Sequence, residues 1–420
     1  MEPITNNPSG RLFRSLGQAI MDAKNRSNRL NGDPLNSRKF ALLGDPAMQL
    51  AFPELPMNIN QIRDQSSGSL VKLSDSLLSL HKYKIEGQVT QLNGAIQANF
   101  NGIANVQIYD QPQRVFTLGN TPESPRTSYS TENSILFNGK ATVTNGLFSI
   151  ECVIPKDISF GPGKATIRLF AQSNNVLAAG ALPIRIAGST GTINRDTTGP
   201  QIKLYLHDTT FKNGGITCEN PILLAQLFDT SGINATGNGI GHDIVLVKNN
   251  DDRNSIVLNS FFSTNLNEYQ RGSLRYQLPT LNEGKYQLKL KAWDMVNNSN
   301  QALLDFIVSK QEKLKIANER NFPNPFRANG GSTIFAFEHN QPNTELLVEI
   351  QIVNSAGALV KTIQQKVKTE GTRNIEIKWD GTSIEGRKNI SGVFYYRLNI
   401  SVPNSPEVGI ASIASQIILL

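Results

Sequence analysis

The sequence predicts a mainly β chain: three consecutive Ig-like β-sandwich domains preceded by the last helix–strand element of an α/β domain. Three observations predict it. Apolar residues recur with helical spacing only near the start, and from residue 77 onward they alternate with period two. Strand-like runs then follow one another at short intervals between Gly, Pro, Asn and Asp turn signals. Finally, the β part divides into three stretches of about 100 residues, the usual size of a sandwich.

Residues 7–29, NPSGRLFRSLGQAIMDAKNRSNR, predict one amphipathic helix. Asn7 or Ser9 can cap it and Pro8 suits the first turn. Leu12, Phe13, Leu16, Ala19, Ile20 and Ala23 fall on one face, and Lys24, Arg26 and Arg29 favour the negative end of the helix dipole. After the breaker NGDP, residues Lys39–Leu43 are apolar on both faces, as in a strand covered by helices on both sides. One helix and one such strand cannot bury each other, so residues 1–55 are expected to be the remnant of a larger domain. Residues 56–76, beginning PMNINQIRDQSSG, are polar and predict a linker or an irregular strap.

The first sandwich is expected over 77–190, with strands at 82–90, 102–110, 135–143, 147–154 and 164–172. The Pro-, Ser- and Thr-rich stretch 111–134 predicts a long loop. GSTGTINRDTTGP at 188–200 marks a boundary. In the second sandwich, 198–312, KYQLKLKAW sets Tyr286, Leu288, Leu290 and Ala292 on one face and Gln287, Lys289 and Lys291 on the other. In the third, 313–420, the inward sets are Leu346, Val348, Ile350 and Ile352; then Ile375, Ile377 and Trp379; then Phe394, Tyr396, Leu398 and Ile400. NFPNPF (321–326), with two prolines, predicts an extended strap at the start of this domain.

Charge excludes one function class. The net charge is +7. Seven basic residues face four acidic ones over 1–45, and twelve face ten over 311–420. Interleaved charge of this kind lacks the stripe that a nucleic acid requires, so no nucleic-acid partner is expected. No apolar run approaches the ~20 residues that cross a bilayer. The start, MEPITNNPSGRLF, has no basic stretch followed by an apolar core and carries no export signal of its own.

Candidate chemistry is sparse. Cys152 and Cys218 lie in different predicted domains, so each is expected to be a small buried hydrophobe without a disulfide. His81, His207, His242 and His339 show no metal-ligand spacing. A Cys218–His207 or Cys218–His242 dyad requires proximity that spacing does not supply. Two loops, FDTSGINATGNGIGHD (228–243) and WDMVNNSN (293–300), offer Asp229, Asp243, Asp294, Asn297 and Asn298 as hard oxygen donors of the kind Ca²⁺ takes. The EF-hand spacing is absent, and Asx turns closing hairpins are the favoured reading. Accordingly no catalytic residue, cofactor or metal is expected.

Several stretches resemble known families. LGQAIMDAKN followed by KFALLGDPAMQLAFPE, with LLGDPA at Leu42–Ala47, resembles the end of the gingipain-type cysteine peptidase domain, whose fold is caspase-like α/β. NFPNPF, WDGTSIEG (379–386), GVFYYRLNI and the final strand ASQIILL resemble the C-terminal domain of type IX secretion proteins of Bacteroidetes. YKIEGQV, DTTGPQIKLYL, SGINATGNGIGHDIVLV and LKAWDMVNNSN are similar to the region between these two parts in type IX secretion sortases.

The resemblance implies a cell-surface cysteine peptidase and transpeptidase at the outer membrane. Such an enzyme cuts the C-terminal signal domain from secreted cargo and passes the acyl group to water or to surface lipopolysaccharide. Its expected partners are that cargo and other proteins of the type IX outer-membrane attachment complex. The family's catalytic His and Cys precede the helix that begins here, and none of the four His or two Cys present occupies a matching position. Met1 is therefore expected to be a truncated start, and the chain itself inactive. The end SQIILL lacks the basic residue that cargo domains often carry. The alternative is a stand-alone surface adhesin-like β-sandwich protein bearing a type IX C-terminal domain.

Overall fold

The computed structural model describes residues 15–420 except 32–34, 36–37, 49–51, 73, 160–162, 175, 189–195, 238–240, 328–329, 388–390 and 404. The chain divides into two compact units, one formed by 1–154 with 159–187, the other by 155–158 with 188–420.

In the first unit, a helix runs from Leu16 to Asn31. Most of the helical start expected from residue 7 lies outside the described residues. The turn Asp45–Met48 docks on the start of this helix. Met48 and Pro46 carbonyls accept the Leu16 and Gly17 N–H groups at 2.9 Å each, taking up donors that the first turn leaves unpaired. Asp45 closes the turn by accepting the Ala47 N–H at 2.8 Å. A side chain at Gly17 would meet Pro46 Cβ at 2.8 Å, so this approach needs glycine. The strand expected at Lys39–Leu43 does not form. The segment is irregular, and Phe40 and Leu43 are 66% and 95% exposed. Among the described residues no neighbouring strand takes its backbone groups, and an unpaired strand is not stable alone.

The rest of the unit is one sheet in the order Leu55–Asp64, Lys82–Val89, Leu147–Val153, Ile135–Thr144, Gly102–Tyr109, Ala165–Ser173, Val176–Ala187 and Ser76–Leu78. It closes on itself, because Leu55 and Pro56 also pair parallel with Ala178 and Ala179. Hence 56–76 is not simply a linker: most of its first half is a strand. Met57 and Ile62 point inward, while a bulge between Ile59 and Gln61 shifts the register. That shift breaks the alternation and hides the strand among polar residues. Those polar residues are engaged: the Asn60 and Gln61 amides donate to Gln88 and Glu86 across the pair. The stretch 111–134 likewise holds a two-stranded ribbon, Gln113–Phe116 with Ser128–Thr131. The guanidinium groups of Arg114 and Arg126 lie over the Phe116 ring at 5.6 and 5.0 Å.

The second unit contains two hydrophobic cores. Around the first, Gln201–Leu206, Ile222–Phe228, Arg271–Gln277 and Phe262–Thr264 form one sheet. Gly215–Thr217, Ser299–Val308, Gly284–Asp294, Val245–Lys248 and Ile256–Val257 form the facing one, with Ile233–Asn234 also paired to Gly284–Asp294. Leu288, Leu290 and Ala292 enter this core as the alternation requires, and Tyr286 is partly buried against it.

Around the second core lie Ile316–Phe322, Thr333–His339 and Arg373–Trp379, opposite Leu359–Lys368, Glu345–Asn354, Gly392–Ser401 and Ile410–Leu419. The expected inward residues are buried, Trp379 between the edges of Phe326 and Phe394 at 5.7 and 5.6 Å; the Ile375 side chain lies outside the described residues. NFPNPF is the expected strap, with cis bonds before Pro323 and Pro325. It also lines the free edge of the last strand. Asn324 donates to the Gln416 carbonyl and accepts the Ile418 N–H, and Phe326 N–H reaches the Ile418 carbonyl.

Candidate functional site

Most of the chemistry-bearing side chains lie in the second unit, while Cys152 and His81 lie in the first. His207 follows the strand Gln201–Leu206 at φ +63°. There its ring meets the short strand Gly215–Thr217, and Cys218 Sγ lies 3.8 Å from His207 Nε2. Proximity that spacing did not reveal is therefore present. The electrostatics of a nucleophile are not. Both residues are only 3% exposed. Burial pushes the Cys218 thiol up and holds the His207 imidazole down at about 4. Thr217 Oγ1, at 2.8 Å, competes for the same ring nitrogen. An ion-paired thiolate and imidazolium is disfavoured on both sides. Cys152 is fully buried and its thiol is pushed up to about 12, by burial and then by the Glu151 charge. Both cysteines are free, as expected.

The other histidines are also held. His242 Nδ1 lies 2.5 Å from Asp157 and its ring 4.4 Å from that of Trp293. His81 pairs with the buried Asp64 at 2.8 Å. His339 is fully buried; its Nδ1 accepts the Gln341 N–H and its Nε2 faces Thr369 Oγ1, both at 3.2 Å. His242 lies with Asp157 and Trp293, and among the described residues no contact brings it to Cys218.

Of the five candidate oxygen donors, Asp229 and Asp294 come together, joined by Asp196. One carboxylate oxygen from each lies within 4.8 Å of the others. Asn298 bridges the group, its amide donating to Asp294 Oδ2 and to the Asp196 carbonyl. Asp243 is held apart by the Asn259 amide, and the Asn297 amide turns to Asp157.

The turn reading holds at each carboxylate. Asp196, Asp229 and Asp294 accept the N–H of Thr198, Ser231 and Val296, two residues on. Their convergence is new, and it strains the charges. Burial, with the charges of Asp294 and Asp196 adding to it, raises Asp229 to about 7. Burial also raises Asp294. Asp196 feels a burial penalty too, but hydrogen bonds from Ser231, Thr198 and Thr230 outweigh it and hold the group at about 2. Such a set of hard oxygens can hold a divalent cation or share protons. Asp196 went unnoticed because it stands in the boundary stretch before TTGP, away from both Asp/Asn loops. An Asx-turn reading of DTT was the available signal.

What the fold defines as a class is a chain of β domains built on several sheets, with a short helical element at one end. No family model and no curated protein matches it. Among solved structures it is similar to dimeric latent PorU from Porphyromonas gingivalis, at 26% identity and a TM-score of 0.40, over 100% of this chain and 38% of that one. The chain thus spans well under half the length of that relative. It is also similar to the tetra-tandem repeat in the extending region of a large adhesion protein, at 13% identity and TM-score 0.19, over 87% of this chain and 74% of that one. The FN1–FN3 domains of chicken CNTN1 give 10% identity and TM-score 0.18, over 86% and 96%. No helix among the described residues is long and apolar enough to cross a membrane.

Proposed function

We propose that this chain supplies scaffold and docking domains of a type IX secretion sortase. Such an enzyme is a cell-surface cysteine peptidase and transpeptidase that removes C-terminal signal domains from cargo and attaches the cargo to lipopolysaccharide. One observation carries the reading: the helix–turn unit Leu16–Met48. Its LLGDPA turn is built onto the start of the helix with a glycine-dependent fit. Yet Leu30, Leu35, Phe40 and Leu43 stay exposed around it. Exposed apolar residues on a locally well-made unit suit a piece that another layer covers, and its residues are those that resemble the end of the gingipain-type domain. The buried, neutral Cys218–His207 pair supports a structural role for the chain.

The test is in the bacterium that encodes the chain. The third sandwich, 313–420, is deleted in frame and maturation of type IX cargo is followed by immunoblot of the cell surface. Unprocessed cargo and loss of the protein from the outer membrane are expected. Normal cargo maturation with the truncated protein still at the surface would overturn the reading.

A further inference from the structure

Two buried imidazoles sit where the second and third sandwiches meet. From the second sandwich come His207, Asp208, Thr210 and the strand Gly215–Thr217. From the third come Glu338, His339 and the turn Gly371–Arg373. The Glu338 carboxylate accepts the Ile216 N–H at 3.3 Å, and Arg373 donates to the Thr210 carbonyl at 3.4 Å. A Cβ on Gly371 would meet the Asp208 carboxylate at 2.3 Å, so the two loops approach as closely as glycine permits. A half-exposed ion pair, Lys315 to Glu283 at 2.6 Å, also joins the two sandwiches.

Neither imidazole has a place for a second proton. His339 Nδ1 accepts a backbone N–H from Gln341, so a proton there would face that N–H head on. His207 uses Nε2 toward Thr217, and its Nδ1 meets no partner among the described residues. Whichever nitrogen carries the hydrogen in the neutral ring, the cation has a poorly paired N–H in a buried site.

The charges around them do not remove the conflict. Asp208 favours the cation at both rings, Arg275 opposes it at His207, and His207 opposes it at His339. Glu338 Oε2 accepts the Ile216 N–H and the Asn318 amide. Burial is the largest effect and holds both rings at about 4.

We propose that this seam is an acid-opened hinge: uptake of one proton by each of His207 and His339 parts the third sandwich from the second while both cores stay folded. The sign follows from linkage. Once hydrated, the rings take protons near pH 6.5, so the open form binds up to two more protons than the closed form between about pH 6.5 and 4. The opening constant then rises by as much as about a hundredfold per pH unit with both rings, and about tenfold with one.

The full chain is followed from pH 7.5 to 4.5 by small-angle scattering and by hydrogen exchange. Expansion is expected on acidification, with protection lost first over 207–218, 338–341 and 371–374. Strands Gly284–Asp294 and Gly392–Ser401 should remain protected. In His339→Gln the new side chain still accepts from Gln341, and in His207→Asn it tolerates φ +63°. Each single variant should reduce the slope to about tenfold per pH unit, and the double variant should stay closed at pH 4.5. A wild-type chain that stays compact to pH 4.5, or one whose seam and core strands lose protection together, overturns the hinge. So does a double variant that opens at the wild-type pH. If the variants fail to fold, the order of protection loss in the wild type still decides.

Discussion

At the scale of single residues, burial sets the chemistry here. Asp229 takes a proton near pH 7 in the folded chain and near 3.8 when unfolded. The native state therefore binds more protons between about pH 4 and 7. Stability falls as pH rises through that window, and the penalty is complete above it. With divalent ions chelated, Asp229→Asn should stabilise the second sandwich by roughly 1–3 kcal/mol at pH 8 and flatten its dependence on pH. Urea denaturation at pH 5 and 8 checks this, and a loss of stability at both would show that the hydrogen bonds the carboxyl accepts outweigh the cost of its charge. The two cysteines test the same principle from the other side. At pH 7.5, with the seam closed, neither should react with a thiol reagent until the chain unfolds, because the thiolate is the reactive form and burial suppresses it. Rapid labelling of native Cys218 would restore a nucleophile to the site.

At the scale of elements, the last strand decides the third sandwich. The residues of IASIASQIILL carry no charge, and such an edge invites association unless it is covered. Pairing with Gly392–Ser401 covers one side, and the NFPNPF strap covers part of the other. Ile417 and Leu419 are buried in the core. Each such side chain contributes about 1.5–3 kcal/mol, against a total of about 5–15 kcal/mol for a domain. Deleting Ser415–Leu420 should therefore unfold the third sandwich, seen as exposure of Trp379 by fluorescence. An unchanged Trp379 spectrum would make the strand a dispensable tail.

At the scale of the molecule, apolar surface is distributed unevenly. Each β domain buries an apolar core and leaves scattered residues such as Leu118 and Ile410 exposed, while the helical element leaves Phe40 and Leu43 in water. Limited proteolysis should remove the helical element and stop near Leu55, where the chain enters the closed sheet. A resistant fragment that still contains residues 16–54 would mean that the helical element is stable as it stands.

Much of this was legible in the sequence, for a physical reason. Alternation with period two reports burial directly, so Leu346, Val348, Ile350 and Ile352, or Phe394 through Ile400, named their own core before any fold was known. The helix declared itself by its spacing, and Cys152 by its apolar strand. What sequence alone did not show was whatever depends on residues far apart along the chain. The strand Leu55–Asp64 was hidden because its bulge breaks the period and its polar side chains pair only across the sheet. Asp196 reaches Asp229 and Asp294, and Cys218 reaches His207, only through loops brought together by strand register. Tertiary structure alone decided the charge states, because burial is a property of the packed chain. The same carboxyl type is held at about 2 in Asp196 and raised to about 7 in Asp229.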